Sequence, residues 1–394
     1  LSNWFALPLT LVIQAMVSMA LLTLPVMAPV IAQDFQVSPA LVGVYVAITY
    51  AGAMVASLTG GAAVKRLGAI RISQVGLMLC ALGLLLCTLP WIGTVALGAV
   101  CIGLGYGPIT PASSHLLART TPKHQMSLVF SLKQTGVPLG SLLAGAIVPT
   151  LLLGLPWQVC MAVVAGVCVG CAAISQILRD KLDEDRQPNL TTQGVSWIQP
   201  IRLVLAHRAL ASMAACSFMF SMVQLSLTTY LVTFLHDDLA YGLVAAGLAL
   251  SVTQFGGMAG RILWGYVADR WLGASRMLLI LAAMMALGAL ATTTLSHDTP
   301  KSVVIALLLA FGASAIGWNG VYLAEVAKRA PEGMASVATG GTLVFTFFGV
   351  VVGPPVFGAL SALFGTYRAG FTALVVVACV CGCVLIWSQR KPRA

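Results

Sequence analysis

Apolar residues run along this chain in long blocks broken only by short polar clusters. The blocks fall near residues 4–32, 39–64, 70–89, 91–118, 125–152, 155–178, 208–235, 240–268, 275–296, 301–327, 333–364 and 368–388. Each reaches or exceeds the roughly 20 residues a helix needs to cross a bilayer. The pattern predicts an all-α integral membrane protein of twelve transmembrane helices. Six lie on either side of the one long polar stretch, so two six-helix bundles are expected, over 1–178 and 208–394. The stretch between them, 179–207, carries Arg179, Asp180, Lys181, Asp183, Glu184, Asp185 and Arg186, then Pro188. A short segment around Trp197 is expected to lie along the membrane surface. The first block holds Pro8, Pro25 and Pro29 and is too long for the core of a signal peptide, so it is read as a span.

Composition sharpens this picture. Of 394 residues 59% are hydrophobic and 8% charged, with a mean hydropathy of +0.97, where soluble domains carry about 25% charged residues. A sizeable extramembrane domain does not fit. The net charge of +10 sits in the breaks between blocks, where it orients the chain and does not signal nucleic-acid binding. Of the 21 Lys and Arg, 17 fall on the side of the 179–207 linker, and Lys301 and Arg368 on the other. The positive-inside rule then places the linker and both termini in the cytoplasm of a multi-pass cell (inner) membrane protein. All ten cysteines lie within apolar blocks without metal-type spacing, so they read as small buried hydrophobes and no cofactor is expected.

The two halves repeat. After the second block comes Gly61-Ala-Ala-Val-Lys65-Arg66-Leu-Gly68-Ala-Ile-Arg71, and after the eighth Gly265-Tyr-Val-Ala-Asp269-Arg270-Trp-Leu-Gly273-Ala-Ser-Arg276. Gly136, Gly140 and Gly145 of span 5 match Gly349, Gly353 and Gly358 of span 11 at a constant offset of 213. On these features the whole chain resembles a transporter of the major facilitator superfamily, whose signature loop Gly-x-x-x-Asp-Arg/Lys-x-Gly-Arg/Lys follows spans 2 and 8. The resemblance implies two pseudo-symmetric bundles, a pathway lined by spans 1, 4, 7 and 10, and spans 5 and 8 facing each other across the halves. It also implies that the loops latch the cytoplasmic side. Lys65 replaces the aspartate of the first copy, which puts its ion pair with Arg119 in question. The second copy has one extra residue, and Asp269 and Arg270 are expected to pair with Glu325, Lys328 or Arg329.

Two cations stand inside spans, Lys133 and Arg261. An ionisable side chain there costs about 2.5 to 3.5 kcal/mol on insertion scales and normally faces a polar cavity. Lys133 lies nine residues beyond His124 and Arg261 nine before Arg270, each roughly 13 Å deep at 1.5 Å per residue. The natural partner of such a pair is an anion, for which arginine offers a bidentate fork and lysine a movable point charge. The string Gly257-x-x-x-Arg261-x-x-x-Gly265-x-x-x-Asp269 is also similar to span 8 of monocarboxylate and oxalate/formate-type carriers. No carboxylate falls in mid-span, which disfavours a cation-binding drug antiporter. His115, one turn before Arg119, is a titratable residue of the vestibule. Polar positions recur at helical spacing in span 1 (Thr10, Gln14, Ser18) and span 7 (Ser217, Ser221, Gln224, Thr228). With the lining implied by the resemblance, substrate contacts are expected from Gln14, Tyr106, Gln224, Thr228, Tyr230, Trp318, Asn319 and Tyr322. Gly105-Tyr106-Gly107-Pro108 marks a place where span 4 can bend.

The expected function is secondary transport of a small organic anion, in the first instance a monocarboxylate, by alternating access with proton symport or anion exchange. The expected partners are that anion, protons and lipid, with the chain acting as a monomer. Drug efflux is the alternative transport function. A membrane enzyme is excluded by the lack of a metal cluster, a nucleophile elbow or paired carboxylates at mid-depth.

Overall fold

The computed structural model describes residues 2–120, 129, 132–186, 199–331 and 335–389. Lys123, His124 and the segment around Trp197 fall outside them, as does the side chain of Lys65. Among the described residues there is no strand, and twelve helices are long and apolar enough to cross a membrane. They are numbered as spans 1 (Phe5–Val26), 2 (Pro39–Ser57), 3 (Ala69–Cys87), 4 (Ile92–Leu117), 5 (Leu132–Leu151), 6 (Trp157–Leu182), 7 (Arg208–Asp237), 8 (Leu243–Leu272), 9 (Ala274–Thr293), 10 (Lys301–Val326), 11 (Ala338–Phe364) and 12 (Tyr367–Ser388). Helices satisfy their own backbone, which lipid cannot do. The chain divides into two compact units, Leu1–Pro39 with Tyr45–Val195, and Ala40–Val44 with Ser196–Ala394.

The repeat is visible inside each unit. A Cβ on Gly140 of span 5 would run into the Ala15 carbonyl of span 1, and one on Gly349 of span 11 into the Phe218 carbonyl of span 7. Likewise Gly103 of span 4 lies against the Thr49 carbonyl of span 2, and Gly312 of span 10 against the Thr253 carbonyl of span 8. Glycine here lets backbones meet, the usual means of packing helices where lipid gives no hydrophobic drive. On the side away from the linker, Asp34 accepts the Trp157 indole N–H at 2.8 Å at the start of span 6. Its counterpart Asp238 accepts the Tyr367 backbone N–H at 3.0 Å at the start of span 12. Arg368 donates to the Thr293 and Leu295 carbonyls at 2.7 and 2.6 Å, closing the end of span 9.

Two expectations change. The Tyr230 hydroxyl spends its proton within the protein: it donates to the Ala40 carbonyl at 2.6 Å, and the ring stacks on Phe357 at 4.6 Å. Nor are all the cysteines buried. Cys379 and Cys383 are exposed, one turn apart on span 12, on a face where Val376 and Val380 are also exposed.

Candidate functional site

Spans 4 and 10 are both interrupted. Span 4 consists of Ile92–Tyr106 and Ile109–Thr120, parted at Gly107 and Pro108, and span 10 of Lys301–Ala315 and Asn319–Arg329, parted at Ile316, Gly317 and Trp318. A broken helix exposes carbonyls that need partners, and inside a membrane it is tolerated where protein or a polar cavity supplies them. In the second unit span 8 supplies them: Trp264 Nε1 donates to the Ala313 carbonyl at 2.7 Å and Arg261 Nε to the Ile316 carbonyl at 3.2 Å. Arg261 is therefore tied to the break through its Nε–H.

Around this break the second unit gathers most of the residues expected there. Gln224 Oε1 accepts from Trp318 Nε1 at 2.8 Å and Asn319 Nδ2 at 3.5 Å. An indole nitrogen can only donate, so the amide oxygen of Gln224 must face it and the Nε2 group turns away as a donor. Trp318 packs edge-on against Phe220 and Tyr322, with centroids 5.4 and 5.2 Å apart. Thr228, one turn after Gln224 on span 7, accepts from Gln254 Nε2 of span 8 at 3.2 Å.

The first unit repeats the arrangement. Gln14, 210 positions before Gln224, is fully buried, and Thr110, just past the break in span 4, donates to its Oε1 at 3.4 Å. Gln14 Nε2 is buried and has no hydrogen-bond partner among the described residues. Tyr106 sits at the break and meets Tyr50 edge-on at 5.8 Å. Lys133 is 1% exposed in span 5, three residues before the glycine that packs on Gln14. Each unit thus carries a glutamine whose amide oxygen is engaged within the protein, together with one cation. The carboxylates within the described spans, Asp180, Asp237, Asp269 and Glu325, lie near span ends.

Trp264, Thr110 and Gln254 are missing from the residues expected from sequence. Gln254 and Trp264 lie seven before and three after Arg261, on its helical face, so spacing alone would have found them. Thr110 carries no such signal.

The linker-side charges are arranged differently from expectation. Asp269 and Arg270 are exposed, and among the described residues neither makes an ion pair. The extra residue of this loop is absorbed in a wide turn, where Gly273 N–H reaches the Ala268 carbonyl five residues back at 2.8 Å, while Gly68 N–H reaches Val64, four back. Glu325 instead holds Arg329 at 2.6 Å and accepts the Ser275 hydroxyl. In the first unit Arg119 does have an acid, Asp185 at 2.5 Å, which His115 also contacts at 2.6 Å. Asp183 accepts the backbone N–H groups of Ile70 and Arg71 at 2.8 and 3.0 Å and so caps span 3. Burial raises the Asp183 carboxyl above its ordinary range, against the opposite pull of these two N–H groups and Arg179.

The sequence matches the family model described as Major Facilitator Superfamily over residues 9–346. A benzoate transport protein of Acinetobacter baylyi is 24% identical over a 400-residue alignment that covers 93% of this chain and 84% of that protein. The nucleoside transporter NupG superposes with a TM-score of 0.81 at 14% identity, over 98% of this chain and 100% of its own. A bacterial homologue of the human lysosomal transporter Spinster, inward-facing and occupied, does so with a TM-score of 0.75 at 13% identity, over 99% of this chain and 98% of its own. At such identities these two structures speak for the fold alone.

Proposed function

The chain belongs to the major facilitator superfamily, and within that family of secondary transporters we propose that it carries a small organic monocarboxylate by alternating access. The observation that carries this reading is the set of donors built around the broken spans: Gln14 Nε2 and Lys133 in the first unit, Gln224 Nε2 and Arg261 in the second. Donors set at the break in each unit, with the carboxylates of the described spans confined to span ends, favour an anion. The edge-on rings of Phe220, Trp318 and Tyr322 beside Gln224 suit an aromatic or otherwise apolar body attached to that anion. Benzoate, which the Acinetobacter baylyi relative is named for transporting, is both, and is the first compound to test.

Arg261 is the principal ligand in this reading, because a guanidinium keeps its charge when partly buried while a dehydrated lysine can lose its proton. Without a mid-span carboxylate to carry a proton, charge is balanced either by a proton travelling with the weak acid or by exchange of one anion for another. The linker side faces the cytoplasm of the cell (inner) membrane, following the excess of Lys and Arg there, and the chain works as a monomer. The test is uptake into proteoliposomes of labelled benzoate, lactate, a neutral sugar and an organic cation. Saturable uptake of a carboxylate that is lost in Arg261→Ala is the expected result. Uptake of the sugar or the cation with no carboxylate transported would overturn it.

A further inference from the structure

The linker-side ends of the two units differ at one place. In the first, the chain fills the start of span 3 with its own acids: Asp183 on the N–H groups of Ile70 and Arg71, and Asp185 on Arg119 and His115. The second unit keeps the same frame. Gly273 at φ +76° answers Gly68 at φ +97°, and Arg276 and Arg329 answer Arg71 and Arg119 at offsets of 205 and 210. Among the described residues, no acid there answers Asp183 or Asp185. Where span 6 runs into Asp183-Glu184-Asp185, span 12 is followed by Arg390-Lys391-Pro392-Arg393.

At that place the second unit has a cavity of about 350 Å³, lined among others by Gly273, Ser275, Arg276, Glu325, Lys328 and Arg329. Three cations stand against one carboxylate, and that carboxylate, 5% exposed, is already held by Arg329 and the Ser275 hydroxyl. Arg276 and Lys328 are exposed and make no ion pair among the described residues. The 20-residue helix of span 9 begins at Ala274 and turns its positive end to the same cavity.

We propose that this cavity binds a phosphate-type oxyanion, which takes the place that Asp183 and Asp185 hold in the first unit. In the first unit two carboxylates are needed to meet a helix start and an arginine that approach from different directions. One tetrahedral oxyanion offers its oxygens in several directions at once and meets both. The same chemistry comes from the headgroup of an anionic phospholipid, since basic pockets between membrane helices hold such headgroups, or from free phosphate. This site is separate from the donors around the spans 4 and 10 breaks and does not depend on the substrate proposed for them.

The experiment uses the purified full-length protein in detergent. Phosphatidylglycerol and phosphatidylcholine are titrated separately and adducts are counted by native mass spectrometry. Inorganic phosphate is titrated in parallel by thermal denaturation. The variants are Arg276→Gln, Lys328→Gln and the pair, with Arg71→Gln as the first-unit control. We expect one phosphatidylglycerol to be retained in preference to phosphatidylcholine, and the paired variant to weaken it by about tenfold or more, as for loss of a charge-assisted contact. Arg71→Gln should stay at the wild-type level. Stabilisation by phosphate that the paired variant loses, without a preference between lipids, assigns the same site to the soluble ion. Both residues are exposed, so the variants should melt as wild type without ligand; if the pair does not, each single variant reads the same loss. Equal retention of both lipids with no phosphate-dependent stabilisation overturns the proposal. So does an equal loss in Arg71→Gln, which would assign the effect to diffuse surface charge.

Discussion

Gln224 illustrates how a neutral side chain acquires a direction. Its oxygen is committed to two donors, Trp318 and Asn319, so its nitrogen can serve only as a donor to whatever enters. Gln224→Glu keeps the acceptor for Trp318 but replaces the donor with a negative charge. Benzoate binding, read by isothermal titration, should weaken by about tenfold or more, and unchanged affinity would remove Gln224 from the site. Arg261 donates through Nε to the Ile316 carbonyl, and the value of a guanidinium as an anion ligand lies in its fork. Arg261→Lys keeps charge but not the fork and should bind benzoate more weakly by a few kcal/mol at most, about 1.5 to 3 for a hydrogen bond to a charged group. Lys133→Arg should retain substantial binding. The reverse order would make Lys133 the principal ligand.

At the scale of the helix, packing depends on glycines set against carbonyls and on the caps between spans. Gly312→Val pushes a side chain into the Thr253 carbonyl and should lower stability by about 1 to 3 kcal/mol or more. Gly166 of span 6 has nothing within 4 Å of where a Cβ would stand, so Gly166→Ala should leave stability unchanged or raise it by up to about 1 kcal/mol. Thermal denaturation in detergent compares the two, and equal melting temperatures would show that close approach of spans 8 and 10 is not limiting. Asp183 is a cap supplied from another helix. Its loss in Asp183→Ala should cost about 1 to 2 kcal/mol, the usual range for an N-cap, while the exposed neighbour in Glu184→Ala should cost little. Hydrogen exchange at Ile70 and Arg71 reports the cap directly, and it should rise in the first variant only.

At the scale of the whole molecule, in the proposed transport cycle no protein carboxylate carries a proton through mid-membrane. Vesicles loaded with unlabelled benzoate should therefore take up labelled benzoate by counterflow with no imposed pH gradient. The Asp269→Asn variant should retain this exchange, since Asp269 is exposed and makes no ion pair among the described residues. Absence of counterflow in the variant, with normal folding, would restore Asp269 to the transport cycle.

Much of this architecture is legible in the chain. The twelve spans follow from hydropathy, a property that each segment expresses by itself in lipid. The repeat follows from glycines and loops at constant offsets. The bend of span 4 is marked by Gly107 and Pro108, where proline removes a backbone donor, although Pro354 and Pro355 lie inside the unbroken helix of span 11. Which polar groups remain available for a ligand is a different kind of question. Tyr230 looks like a pathway residue until its hydroxyl is found on Ala40, 190 positions away, and Arg261 meets the Ile316 carbonyl across 55. Asp183 reads as linker until it is seen to cap span 3 across 113. Asp269 makes no ion pair among the described residues, while Glu325 pairs with Arg329. These outcomes rest on hydrogen bonds a few ångströms long between helices distant in sequence, which no pattern along the chain encodes, so only the tertiary structure decided them.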